Sequence, residues 1–365
     1  MESLFRRTGH GYGLDDLRFS VVRGSVWLGA IGQALCSLVL LGGFLQTEIS
    51  ALCQAESSAG ESIFANSKAD SGEKETVTGP GYSAPVVSKW KAGVKIVGST
   101  TDSYNIFISL PVPAEWPEQA VTVAEEQIPG NIGDVSFRDL ESGVRQLLIR
   151  IPLLPAGQEI TVSKTFRVAT SQVDPPPQTG DLLRPKKTHK EGKGYLATSQ
   201  QINFNDGKLR RQLAEIVADK ANIWEEVEAI FDWVRDNIDQ KEMPNYDSLR
   251  AFRERGGSED DKVALFIAMC RLNKVPARFV WVDGSSYAEF MLVDEQDNFY
   301  WFPCNVTGIR EFGCYSEPKV ILQKGDNIKV PEKETRQRFV SEFVSVQGAS
   351  KPRVSFIREL LPADD

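Results

Sequence analysis

Histidine is nearly absent from this 365-residue chain, which has only His10 and His189. That scarcity removes most histidine-ligated metal sites and leaves, beyond the leader described below, one imidazole that could act as a base. Cysteine is sparse too: of five residues, Cys36 and Cys53 lie in the N-terminal segment, leaving Cys270, Cys304 and Cys314. Three cysteines make no disulfide framework, and their spacing matches no zinc site, so no metal and no cofactor is expected. Cys304 and Cys314 are a pair that an oxidising compartment could join, but sequence supplies no bridging geometry. Excess positive charge is also missing. A formal net charge of −8 argues against nucleic acid as the main partner.

Long apolar runs are confined to one place. Gly24 to Thr47 carries no charge, follows Arg23 and is centred on Val26-Trp27-Leu28 and Leu38-Val39-Leu40-Leu41. It reads as a secretory leader, with Cys53-Gln54-Ala55 placing cleavage before Glu56, although 24–47 is also long enough to stay as a membrane anchor. Either outcome puts the bulk of the chain outside the cytoplasm: secreted, periplasmic or membrane-anchored. Residues 1–55 therefore form the leader or anchor, and the Ser-, Gly-, Glu- and Lys-rich 56–83 a disordered tether.

What remains, in a chain 41% hydrophobic and 25% charged, is enough for two globular domains. Over 84–173 the apolar residues alternate: Val94 and Ile96; Tyr104, Ile106, Ile108 and Leu110; Val121 and Val123; Leu147, Ile149 and Ile151; Ile160, Val162, Phe166 and Val168. Short alternating runs separated by proline and glycine turns predict a β-sandwich. No catalytic constellation lies within it. Residues 174–200 form a linker containing Asp174-Pro175-Pro176-Pro177 and the basic run Arg184-Pro185-Lys186-Lys187-Thr188-His189-Lys190. Such a run is ordinarily a solvated connector, with contact to an acidic surface as the other reading.

From 201 to 330 the period changes. Leu209, Leu213 and Ile216 mark one helix, and Asn222 caps a second that carries Ile223, Val227, Ile230, Val234 and Ile238. After Gly256-Gly257, Ser258 caps a third helix with Asp261 at its third position. The run to Arg271 is so apolar that it must be buried on most sides. Strands are predicted at Ala277–Val282, Tyr287–Val293 and Phe299–Phe302, and further closing strands within 331–365. Helices followed by an antiparallel sheet make an α+β domain.

These residues carry a resemblance. Trp233-Val234 with Ile238, Gly257 through Phe266, Arg271 with Val275-Pro276-Ala277-Arg278, Tyr287-Ala288-Glu289-Phe290 and Trp301-Phe302-Pro303-Cys304-Asn305 resemble the transglutaminase-like superfamily, in its bacterial secreted type. That type joins an N-terminal β-domain to a papain-like core. The resemblance implies a cysteine nucleophile at the buried helix's N-terminus, a histidine base and an orienting acid. Here the corresponding positions hold Glu259 (Ser258 with a one-residue slip), Ser285 and Asn305. Acyl transfer by a thiolate needs the nucleophile and its base, and this chain lacks both.

The expected function is that of a non-catalytic relative binding a peptide, protein or cell-envelope polymer in a groove between helix and sheet. Trp281, Tyr287 and Trp301 are candidate lining residues, and also candidate core. One alternative is a hydrolase or acyltransferase of altered mechanism using Ser258 or Glu259 with Ser285 and Asn305. Another is a structural spacer that binds through its β-domain.

Overall fold

The computed structural model describes residues 79–362, so the leader, and the tether before Gly79, lie outside the described residues. In chain order, the first eight strands are β1 (Gly81–Tyr82), β2 (Val86–Val97), β3 (Ser103–Val112), β4 (Gln119–Gln127), β5 (Asp134–Asp139), β6 (Arg145–Leu154), β7 (Glu159–Thr170) and β8 (Val173–Asp174). Next come α1 (Gly207–Val217), α2 (Ile223–Asn237), β9 (Asp239–Gln240), α3 (Ser248–Glu254), β10 (Gly256–Gly257) and α4 (Glu259–Leu272). The chain continues through β11 (Ala277–Val282), β12 (Ser285–Val293), β13 (Phe299–Asn305), β14 (Glu311–Phe312), β15 (Ile321–Lys324), β16 (Phe343–Gln347) and β17 (Arg353–Leu361).

Two four-stranded antiparallel sheets, ordered β17-β2-β7-β4 and β16-β3-β6-β5, form a sandwich. The alternation seen in the sequence supplies its core: Val94 and Ile96, Ile106 and Ile108, Leu147 and Ile149, and Val162 and Phe166 are all buried. The C-terminal strands do not close the second domain. β17 pairs with β2 from Arg353↔Val97 to Leu361↔Lys89, and β16 pairs with β3. The sandwich expected at 84–173 is thus completed by residues drawn from 331–365, and the α+β domain is inserted between its strands. The physical reason lies in the edges: β2 and β3 would otherwise expose long rows of unpaired N–H and C=O groups. Val344, Val346, Val354 and Phe356 pack onto the sandwich core as they cover those edges.

The inserted domain is an antiparallel sheet of order β14-β13-β12-β11-β15 with helices against one face. Side-chain oxygens begin each helix. Asp206 accepts from the Lys208 and Leu209 amides, Asn222 from Glu225, Asp247 from Arg250 and Ser258 from Asp261, satisfying donors that helix ends leave open. In α1 only Leu209 and Leu213 are buried, whereas every residue of α4 from Asp261 to Arg271 is. Trp224 of α2 packs edge-on against Phe290, Phe302 and Phe312 at 5.0–5.6 Å between ring centroids, locking helix to sheet. Trp224 and Phe231 are both buried in this core.

Candidate functional site

The N-terminus of α4 is built by its own sequence. Ser258 Oγ accepts the Asp261 amide and Asp261 returns a bond to the Ser258 amide, at 3.2 Å each, forming a full capping box. A Cβ on Gly257 would stand 2.8 Å from the Asp261 side chain, so glycine is what permits this approach. Ser258 is therefore occupied as a cap. Glu259 is the first helical residue, half-buried, and its Oε1 accepts the Ser286 amide at 3.3 Å. Burial pushes its carboxyl above the ordinary range; the Ser286 amide pulls it back and neighbouring Asp260 raises it again.

Asp260 is the better connected group. It accepts from Ser286 Oγ (2.7 Å), Asn245 Nδ2 (2.6 Å) and Arg338 Nη2 (3.1 Å). Arg338 precedes β16 and lays its guanidinium 4.8 Å from the Trp281 ring centroid, so the chain crosses here on its way back to the sandwich. Ser285 pairs with Val282 at the start of β12, and no described hydrogen bond joins its side chain to Glu259. Asn305 is occupied locally: its Oδ1 accepts the Thr307 amide (3.1 Å) and hydroxyl (3.0 Å), and its Nδ2 donates to Glu311 (3.2 Å). Arg235 holds the carbonyls of Asn305, Thr307, Gly308 and Ile309 at 3.0–3.3 Å, which fixes that loop. The four positions Ser258, Glu259, Ser285 and Asn305 do not converge into one hydrogen-bonded set.

Ser286 is the residue that sequence reading missed, and strand alternation identifies it. Ala288 and Phe290 share the core with α4, so Ser286, two residues earlier, meets the helix while Ser285 does not. Among the described residues no imidazole is near. His189 packs edge-on to Phe299 at the opposite end of β13 from Asn305, a strand length of about 20 Å.

The three cysteines among the described residues are free. Cys270 and Cys304 are fully buried in the core, where burial drives their thiols far up, and half-buried Cys314 is raised by the same cause. Alkylation of the native protein at neutral pH is expected to label Cys314 alone among these three, and slowly. Mass spectrometry after brief exposure to iodoacetamide checks this, and rapid labelling of Cys270 would contradict it.

The aromatic candidates separate. Trp281 is buried, stacked on Phe279 at 4.7 Å and covered by Phe339 and Arg338, so it lines no groove between helix and sheet. Tyr287 is also core, stacked on Tyr315 at 4.1 Å on the other face. Of the two readings the sequence left open for them, burial favours core: alternating strand aromatics found apolar layers on the two sides of the sheet. Trp301 alone lines a cavity. This space of about 280 Å3 lies at the seam of the two domains, on the sheet face opposite α4, with Trp116 and Glu118 from the sandwich and Tyr300, Trp301 and Pro303 from β13.

Beneath it sits an ionic quartet. Arg278 Nε and Nη2 bond Glu289 Oε2 at 2.9 and 2.8 Å, and Lys324 pairs with both Glu289 and Glu118. Burial alone would raise the Glu289 carboxyl; Lys324 and Arg278 together outweigh it and hold the group below the ordinary range. Arg278 also lies 3.9 Å over the Trp301 ring, so the quartet fixes the cavity wall.

A buried helix whose N-terminus meets an antiparallel sheet, with the nucleophile's place at the helix start, defines a papain-like α+β core. Residues 210–307 match the family model of the transglutaminase-like superfamily. No curated protein matches the chain. Two solved structures are similar. One, from Cytophaga hutchinsonii and provisionally assigned as a cysteine protease, is 16% identical with a TM-score of 0.48 over 78% of this chain and 94% of that one. The other, a provisionally assigned protease from Parabacteroides distasonis, is 12% identical with a TM-score of 0.24 over 60% of this chain and 48% of that one.

Proposed function

We propose that this is a non-catalytic transglutaminase-like protein, exported from the cytoplasm, that binds a peptide, protein or cell-envelope polymer without cleaving it. The observation that carries the reading is the first turn of α4. Where a thiolate would be generated stands Glu259, bonded to the Ser286 amide, with Asp260 tied to Ser286 and Arg338. A carboxylate in this place is a poor acyl nucleophile and has no imidazole beside it to protonate a leaving amine, and Arg338 is paired with the neighbouring Asp260. The altered-mechanism alternative loses support because Ser258 caps the helix and Asn305 is occupied by Thr307 and Glu311.

Binding moves from the helix–sheet groove to the seam cavity. Its aromatic wall and fixed charges suit a polymer segment with flat apolar faces and polar edges. Because the wall comes from both domains, this reading absorbs the β-domain alternative as well. Export rests on the charge-free run 24–47. That run lies outside the described residues, and no described helix is long and apolar enough to cross a membrane.

Co-sedimentation of the purified protein with isolated cell-envelope polymer is expected to fall at least tenfold in Trp301→Ala. It should be unchanged in Tyr104→Ala, which alters an exposed sandwich aromatic outside the cavity. Equal sedimentation by both variants would refute the cavity as the binding site.

A further inference from the structure

A second cavity, of about 390 Å3, lies at the other end of α4 and is lined by Lys187, Lys193, Leu196, Ala197, Arg271 and Lys274. No acidic side chain lines it. Among the described residues, Lys187, Lys193 and Lys274 make no ion pair and no side-chain hydrogen bond, in a chain whose net charge is −8. Of the nearby carboxylates, Glu191 lines the seam cavity instead, and two others are committed to partners. Glu226 takes Arg184 and Asn273, and Asp326 takes Arg271 and Ser199.

All three lysines are exposed, and the connector that carries Lys187 and Lys193 is folded against the end of α4. A Cβ on Gly192 would stand 2.8 Å from Pro276 and 2.9 Å from Met291, so the basic connector lies directly on the turn that follows α4. His189 donates its amide to Lys186 and Lys193 its amide to His189, which folds the connector back on itself, and Arg271 Nη1 anchors its end through the Ala197 carbonyl at 2.8 Å. Lys274 is the most telling member. It ends the α4 turn at φ +63°, a left-handed conformation that glycine adopts freely and a side chain with a Cβ only under strain. A lysine at this position carries that strain and joins Lys187 and Lys193 in lining the cavity.

We propose that this cavity is an anion site for a ligand bearing at least two phosphate charges. Three ammonium groups are compact point charges with rotatable donors, which suit tetrahedral oxyanions. The one guanidinium present, able to grip a carboxylate with its fork, is consumed by Asp326 and by the carbonyls of Ala277 and Ala197. The volume falls within the usual range for small-ligand pockets and exceeds what a single small ion needs. A free pyrophosphate-like ion and a phospholipid headgroup share this chemistry.

The test is calorimetric titration of the full chain with inorganic pyrophosphate across a salt series, beside the triple variant Lys187→Gln/Lys193→Gln/Lys274→Gly. The expected result is saturable binding that weakens with salt and falls at least tenfold in the variant. The variant's Tm should stay within a degree or two of wild type, because Lys274→Gly relieves the left-handed turn. Absence of saturable binding, or equal binding by the variant, overturns the proposal. Vesicles containing an anionic phospholipid separate the sources. Binding that pyrophosphate displaces and the variant loses assigns the headgroup, and pyrophosphate binding without vesicle binding assigns a free phosphate ligand. Vesicle binding that the variant retains and pyrophosphate fails to displace overturns the site.

Discussion

Asp326→Ala is expected to lower stability by about 3–5 kcal/mol, among the largest losses available from a single side chain in this protein. Asp326 and Arg271 are each 1% exposed at their side chains, and Nη2 meets Oδ1 at 2.5 Å while Nη1 meets Oδ2 at 3.2 Å. Arg271 also donates to the Ala277 carbonyl from Nε and Nη2 and to the Ala197 carbonyl from Nη1. Removing the carboxylate leaves a full charge in the interior with only carbonyl dipoles to face it, and the cost is that of an unpaired buried ion. Replacing both partners, as in Arg271→Met/Asp326→Leu, should recover part of the loss, since no charge is then stranded. Urea denaturation measures both. A single-variant loss below about 1 kcal/mol would show that the guanidinium finds water or another partner.

Lys324→Met is the second large effect, again about 3–5 kcal/mol at neutral pH, because it strands Glu118 and half of the Glu289 pairing. It also carries a pH signature. In the native protein Glu289 sits below its ordinary range, so its contribution is present above the unfolded carboxylate value and is lost as pH falls through the lower folded one. Without Lys324 the larger of the two charges that hold Glu289 down is gone, so the variant loses less stability at this group as pH falls. The difference between wild type and variant must therefore narrow from pH 7 towards pH 4. A difference that is constant or widens over that interval would mean that Lys324 is not what holds the Glu289 carboxylate ionised.

How far these features could be read from sequence depends on how local their physics is. The α4 start was legible because Ser258 and Asp261 signal a capping box within four residues and the apolar run after them has nowhere to go but inside. The sandwich core was legible because alternation is a period-two property of each strand. The destination of β16 and β17 was not, since pairing with β3 and β2 spans more than two hundred positions and nothing in the strands themselves names a partner. The quartet was half legible: Arg278 and Glu289 face each other in the β11–β12 register, but Glu118 reaches Lys324 from 206 positions away.

The site shows the same division. Glu259 does stand at the helix start, as counting along the family pattern placed it. The strand residue that meets it is Ser286 and not Ser285, because pleating decides which side chain faces the helix and the motif count alone does not. Trp281 and Tyr287 went to core layers on opposite faces of the sheet, leaving Trp301 at the seam. Arg338 could not have been placed from sequence at all, since it covers the first turn of α4 only by virtue of the chain's return to the sandwich.

The central claim is that the retained framework performs no acyl transfer. The direct measurement is turnover of a panel of peptide amide and glutamine–lysine acyl-transfer substrates by the purified protein, beside Glu259→Ala. No release or crosslinking above the enzyme-free blank is expected in either protein. Turnover by the wild type that Glu259→Ala abolishes would contradict it.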